Sequence, residues 1–204
     1  MYNALVQRQG QKLVDKLQNA TVAVCGLGGL GSNIAISLAR SGVGKLVIID
    51  FDKVDVTNLH RQQYRANQIG MYKADALNII LDDIAPYTKI EKHIVKLDDT
   101  NMLNLLANAD IICEAFDDAY QKAMITNFVL ENMPDKYIVA ASGMAGVGTP
   151  NAIKTRRVTS KFYICGDEKS DVCDDIGLVA ARVMLCAAHQ AQTVLRIIDD
   201  KFDC

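Results

Sequence analysis

The feature that most constrains this chain is a glycine-rich turn set between an apolar strand and a helix. ATVAVC (20–25) is a short apolar run of the kind that forms a buried strand. It leads directly into Gly26-Leu27-Gly28-Gly29-Leu30-Gly31, which fits G-x-G-x-x-G, and then into the helical run IAISLARSG (34–42). Gly42 is a natural helix stop. KLVIID (45–50) is a second buried strand. Strand, glycine turn, helix and strand in quick succession make a βαβ unit. Glycines at this place permit a tight turn and let backbone approach a phosphate, while the helix N-terminus offers unpaired N–H groups. Asp50 closes the second strand, where an acid can accept hydrogen bonds from ribose hydroxyls. Taken alone, the motif does not separate NAD, FAD, SAM and ATP binding. No G-x-x-x-x-G-K-[ST] is present, so the chain is not a P-loop protein.

The rest of the chain continues the alternation. Residues 3–18 read as one amphipathic helix, and 51–70 as a long polar loop. Leu77, Ile80, Leu81 and Ile84 give a helix over 73–84, which Pro86 ends. Strands are expected at 89–97, 110–116 and 137–142, and helices at 100–107 and 120–131. Residues 153–165 are β-rich and suit an antiparallel pair. A charged loop (166–177) then precedes a long apolar helix (178–198) that should cross the sheet. The class is therefore α/β and doubly wound, with a mainly parallel sheet, a C-terminal antiparallel β extension and a final long helix. A single domain over 1–204 is expected, with its N-terminal helix at 1–18 and its core at 20–198.

Composition excludes several classes. A formal charge of −2 offers no basic excess for general nucleic-acid binding. The start, MYNALVQRQGQKLVDKLQ, is polar and periodic and does not read as a signal peptide. The apolar stretch near the end carries Arg182, His189, Gln190 and Gln192, so it reads as a buried helix and not a membrane span. Of six cysteines, Cys25, Cys113 and Cys186 lie in apolar runs and read as buried hydrophobes of a reducing cytoplasm. Cys165, Cys173 and Cys204 fall in polar stretches or at the tail.

A second constellation narrows the ligand. Asn58-Leu59-His60-Arg61-Gln62-Gln63 follows the second strand, Lys73 opens the next helix, and Asp117-Asp118 follows the fourth strand. Doubly wound folds bind ligands just outside the carboxyl ends of their strands. Arg61, Lys73 and Asp117 can thus converge on the phosphates of a nucleotide whose adenosine is held by Gly28 and Asp50. Two cations and a carboxylate suit a triphosphate with Mg²⁺, whereas hydride transfer needs no such clamp.

The segment GLGGLGSNIAISLARSGVGKLVIIDFDKVDVTNLHRQQY resembles the ThiF/MoeB family, related to the nucleotide-binding half of ubiquitin-activating enzymes. The likeness joins GxGGLG, the D-F-D pair, N-L-x-R-Q, the downstream lysine and the aspartate after strand four, and covers roughly 20–198. It implies a Rossmann-like fold and ATP-dependent adenylation of the C-terminal carboxylate of a small ubiquitin-like sulfur carrier ending in Gly-Gly. ASGMAGVG and the short length point to a ThiS-like carrier and thiazole synthesis for thiamine. By resemblance, Gly26, Gly28, Gly29 and Gly31 cradle the nucleotide, Asp50 binds its ribose, and Asp52 is a further nucleotide-binding residue. Asn58, Arg61, Gln62 and Lys73 contact ATP phosphates, and Asp117 holds Mg²⁺. Arg8 would reach into the site of a partner in a homodimer, in which Leu27, Leu30 and the following helix form an apolar edge. Cys173 matches a cysteine that links covalently to the carrier, and a sulfur-donor protein would act afterwards. Cys165 and Cys173 are too few for the Cys₄ zinc site of longer members, so no zinc is expected. An NAD(P)- or FAD-dependent oxidoreductase and a non-catalytic nucleotide-binding scaffold remain the alternatives.

Overall fold

The computed structural model describes residues 2–172 and 176–203. Its strands are β1 (Thr21–Cys25), β2 (Lys45–Ile49), β3 (Lys89–His93), β4 (Ile111–Glu114), β5 (Tyr137–Ala141), β6 (Lys154–Arg157) and β7 (Phe162–Gly166). They form one sheet in the order β3-β2-β1-β4-β5-β7-β6. All neighbours run parallel except β6 and β7, which pair antiparallel with Thr155 opposite Cys165. Seven helices are labelled α1 (Tyr2–Gln9), α2 (Gln11–Asn19), α3 (Gly29–Ser41), α4 (Lys73–Ile84), α5 (Met102–Leu106), α6 (Ala119–Asn132) and α7 (Ala180–Ile198).

Period-two alternation divides the strand side chains between two cores. Val22, Val24, Leu46, Ile48 and Val139 join α3, α4 and α7 on one face. Ala23, Cys25, Val47, Ile49 and Ile138 join α5 and α6 on the other. Strands covered on both faces read as unbroken apolar runs, which is why β1, β2 and β5 stand out in the sequence. Helix α7 lies across β5, β7 and β6 and packs along α3. The connections from β1 and β4 leave in opposite directions, so a crevice opens between their carboxyl ends.

The structure departs from expectation in several places. The N-terminal helix is two helices, broken at Gly10, whose φ of +87° favours glycine. Helix α2 fully buries Val14 and Leu17, whereas α1 only half-buries Leu5 and Val6. Helix α3 starts at Gly29, ahead of the apolar periodicity, because the glycine turn itself supplies its first residues. Strand β3 stops at His93, and Leu97 turns into the α5/α6 core. Cys165 sits not in a polar stretch but in β7, fully buried like Cys25, Cys113 and Cys186. Leu27 and Leu30 are buried in the chain's own core, so they offer no apolar edge to a second copy. Among the described residues no helix is long and apolar enough to cross a membrane.

Gly31 shows how tightly the turn is built. A Cβ there would lie 1.8 Å from the Gly26 carbonyl oxygen, so no side chain fits between helix and strand end. Gly70, with φ +88°, has nothing within 4 Å of such a Cβ. Gly70→Ala should therefore cost only about 1–2 kcal/mol of backbone strain. Gly31→Ala should exceed the roughly 1–3 kcal/mol typical of overpacking. Urea midpoints of the two variants check this order, and equal midpoints would contradict it.

Candidate functional site

The crevice holds a cavity of about 330 Å³. One end is apolar, with Ile49, Phe51, Val95, Leu97 and Phe116 forming walls suited to a flat base. The middle is the glycine turn. Gly26, at φ +87°, donates its N–H to Ile49 O (2.9 Å), and a Cβ there would stand 2.8 Å from Ala115 O. Gly28 caps α3 without any side-chain cap. Its first-turn N–H groups therefore face the cleft as a site for negative charge. Gly28 and Gly29 line the cleft; Gly31 does not, and serves helix packing instead.

Asp50 ties this turn to the next one. Leu27 N–H donates to its Oδ2 and Asp52 N–H to its Oδ1, each at 2.7 Å. Burial pushes the Asp50 carboxyl above its usual range, against the pull of Lys73 and the two N–H groups. Lys73, itself buried, places Nζ 2.9 Å from Asp52 and 3.9 Å from Asp50. Its backbone N–H donates to Asp52 O, which fixes the start of α4 at the cleft.

The loop after β2 presents Arg61 and Gln62. Asp55 caps the short turn Val56–Asn58 by accepting from Thr57 N–H at 2.8 Å. Asn58 then accepts from the backbone N–H groups of Arg61 (3.2 Å) and Gln62 (3.1 Å). Asn58 thus works through its main chain; its side chain reaches Thr57 Oγ1 and does not line the cavity. Arg61 Nε and Gln62 Oε1 are buried without a hydrogen-bond partner. An unpaired buried polar atom costs about 1–3 kcal/mol, which a polar ligand would recover. At the opposite wall Asp117 is exposed, lines the cavity and has no partner among the described residues. Asp118 is already used, capping α6 by accepting from Gln121 N–H (2.9 Å).

The structure therefore brings together Gly26, Gly28, Gly29, Asp50, Asp52, Arg61, Gln62, Lys73 and Asp117 in one cleft. It does not bring Arg8 there. Leu5 of α1 lies against Gly42, the far end of α3 from Gly28. A helix of 13 residues puts those ends about 20 Å apart. Cys173 lies outside the described residues. Among those described, no three His, Cys, Asp or Glu side chains gather as a metal-binding group.

Two ion pairs at the site were missed from sequence. Glu114, fully buried at the end of β4, pairs with Lys122 of α6. Arg182, buried at the start of α7, pairs with Asp167 and donates to Gly148 O (2.9 Å) and Thr149 O (3.1 Å). Asp167 also accepts from the N–H groups of Lys169 and Ser170, both at 2.9 Å. The pair thus fastens α7 to the two loops that wall the far side of the cleft, around Gly143–Ala145 and Ser170. No spacing rule signals either pair, since the partners lie on separate elements.

Comparison with known proteins agrees with this architecture. The sequence matches the ThiF family over residues 2–203. It is 37% identical over 129 residues to an adenylyltransferase and sulfurtransferase MOCS3 of Caenorhabditis briggsae, covering 61% of this chain and 31% of that protein. It is 30% identical over 189 residues to the adenylyltransferase and sulfurtransferase UBA4 of Candida glabrata, covering 90% of this chain and 43% of that one. The chain thus spans under half the length of these relatives. In fold it is similar to E. coli tRNA N6-threonylcarbamoyladenosine dehydratase, TcdA, solved in complex with ATP. That match has a TM-score of 0.87 at 20% identity, over 98% of this chain and 94% of the other. E. coli MccB with ATP gives 0.72 at 22% identity, over 93% and 58%.

The Asp167 pair makes a prediction about acid stability. Burial pushes the Asp167 carboxyl up, but the N–H groups of Ser170 and Lys169, the Ser170 hydroxyl and Arg182 outweigh it and hold it at about 2. A carboxyl lowered by folding stabilises above its unfolded value, near about 3.9, and loses that contribution as pH falls towards the folded one. Asp167→Asn should therefore lower the urea midpoint at pH 7, with the gap to wild type closing between pH 4 and pH 2. A gap that is constant over that range would contradict the assignment.

Proposed function

The chain belongs to the ThiF family, and from that premise we propose that it adenylates the C-terminal carboxylate of a ubiquitin-like carrier protein, releasing pyrophosphate. The observation that carries this reading is the unpartnered polar set at one cleft. Arg61 Nε and Gln62 Oε1 are orphaned, Asp117 is bare, and Lys73 is held only by carboxylates. ATP would lay its adenine against Phe51, Val95, Leu97 and Phe116, its ribose at Asp50, and its phosphates along the first turn of α3. Lys73 would exchange Asp52 for a phosphate oxygen, and Arg61 would gain an acceptor for Nε.

A divalent cation fits this arrangement. Mg²⁺ is commonly held by one or two carboxylates plus substrate phosphates, so it needs no three-ligand protein cluster. Asp117 is the carboxylate placed to hold it, and when bound the ion would offset charge on the phosphates.

The incoming carboxylate, with a pKa near about 3.5, is already ionised at neutral pH, so no general base is required. The obstacle is repulsion between that anion and the α-phosphate. Arg61, Lys73 and the amides of α3 would offset the charge as it shifts towards the leaving pyrophosphate. The carrier is proposed as ThiS-like, ending in Gly-Gly, with a separate sulfur-donor protein acting on the acyl adenylate in thiazole synthesis. Arg8 supports a homodimer in this scheme. It stands exposed without a partner among the described residues, on a helix with no fully buried residue, and would serve the second subunit's site.

ATP–pyrophosphate exchange tests the proposal. Exchange should appear only with a Gly-Gly-ended carrier, and Lys73→Ala, Arg61→Ala or Asp117→Ala should each lower it by about 10²–10³. Cys173→Ser should retain it, because adenylation uses no thiol. No exchange with any carrier, together with tight NAD binding, would overturn the proposal.

A further inference from the structure

Lys122 lines the nucleotide cleft, yet none of its charge is left for a nucleotide. Its ammonium has three N–H donors, and three acceptors occupy them. Glu114 Oε1 and Oε2 lie at 2.9 Å each, and Phe116 O at 3.0 Å. Glu114 in turn accepts from Phe116 N–H at 2.7 Å and reaches Ala141 N–H of β5 at 3.4 Å. Gln190 of α7 holds Glu114 by its main chain, donating to its carbonyl at 2.9 Å. Phe116 is thereby gripped at both its N–H and its carbonyl by one ion pair. The next residue is Asp117, and the one after it, Asp118, is fixed as the cap of α6. The main chain on both sides of Asp117 is immobilised, while its carboxylate is bare.

An ion pair with one partner fully buried is a poor device for stability alone. Desolvating the Glu114 carboxylate offsets much of its attraction to the half-buried Lys122, and apolar residues of similar volume commonly do as well. Here the pair does something an apolar pair could not: it hydrogen-bonds both backbone groups of the residue that precedes Asp117. We propose that Glu114 and Lys122 are positioning residues, which present the Asp117 carboxylate to the divalent cation of a bound nucleotide. This inference rests on the reading of Asp117 given above. It assigns Lys122 to the carboxylate side of the site and not to the phosphates.

Equilibrium dialysis of ATP against the full chain, with Mg²⁺ or with EDTA, tests it without turnover. In the wild type Mg²⁺ should tighten ATP binding. In Lys122→Met the EDTA affinity should stay within about twofold, while the Mg²⁺ enhancement falls by about tenfold or more, as when other outer-shell partners of metal ligands are lost. Lys122→Arg, which restores a cation with several donors, should recover most of the enhancement. Lys122→Met leaves Glu114 buried without its counter-charge, so the double variant Glu114→Gln/Lys122→Met, neutral at both positions, is measured beside it. Circular dichroism checks that both are folded. Equal loss of affinity with Mg²⁺ and with EDTA would show that Lys122 touches the phosphates, and would overturn the inference. So would a full Mg²⁺ enhancement in the double variant. A wild type that binds ATP with no Mg²⁺ effect would instead remove the metal role of Asp117, and this inference with it.

Discussion

The carboxylate of Asp50 is the interaction on which the site depends. One oxygen takes the Leu27 N–H of the glycine turn, and the other takes the Asp52 N–H of the turn after β2. Two loops from neighbouring strands are thus held together by one buried acid. Its charge has Lys73 as the near counter-ion at 3.9 Å. The arrangement costs desolvation, which shows in the raised carboxyl, and it gives the cleft a fixed floor. Tyr64 adds to it by donating its hydroxyl to Leu27 O at 2.7 Å. The glycine turn is therefore held on both its N–H and carbonyl sides.

Around that floor the charges are arranged in two ways. Some are satisfied internally: Glu114 with Lys122, Asp167 with Arg182, Asp118 at the start of α6. These fix walls and loop ends. Others belong to residues that line the cavity and keep unused capacity: Arg61 Nε and Gln62 Oε1, buried and unpaired, and the exposed carboxylate of Asp117. Lys73 stands between the two groups, paired with an exposed carboxylate that solvent screens. Its pairing with Asp52 is weak enough to be exchanged for a polyphosphate. A site in which the wall-forming carboxylates Glu114, Asp118 and Asp167 are engaged and Asp117 is not is preorganised for a charged ligand.

Much of this was legible in the sequence, for identifiable reasons. The glycine turn, Asp50, Lys73 and the helix Lys73–Ile84 carry local signals of spacing and periodicity, and the structure keeps them in place. The antiparallel β6/β7 pair followed from a short β-rich run. What the sequence hid was of another kind. Gly10 breaks the first helix through one positive φ, which amphipathic periodicity does not register. Cys165 looked polar because its following neighbours are charged, yet strand pairing buries it. Arg182 and Gly148 are 34 residues apart, and no local rule joins them. Arg8 is the only arginine before the glycine turn, yet its helix lies against Gly42 at the opposite end of α3 from that turn, a placement that no local rule registers.

The most direct measurement is a crystal structure of the chain with Mg²⁺ and a non-hydrolysable ATP analogue. The account predicts the analogue between the ends of β1 and β4, with its base against Phe51 and Leu97. Lys73 Nζ should have left Asp52, 2.9 Å away in the free chain, for a phosphate oxygen. Arg61 Nε should have gained a phosphate acceptor, and Asp117 should lie at the metal. An analogue bound elsewhere, or bound here with Lys73 still on Asp52 and Arg61 Nε still unpaired, would contradict it.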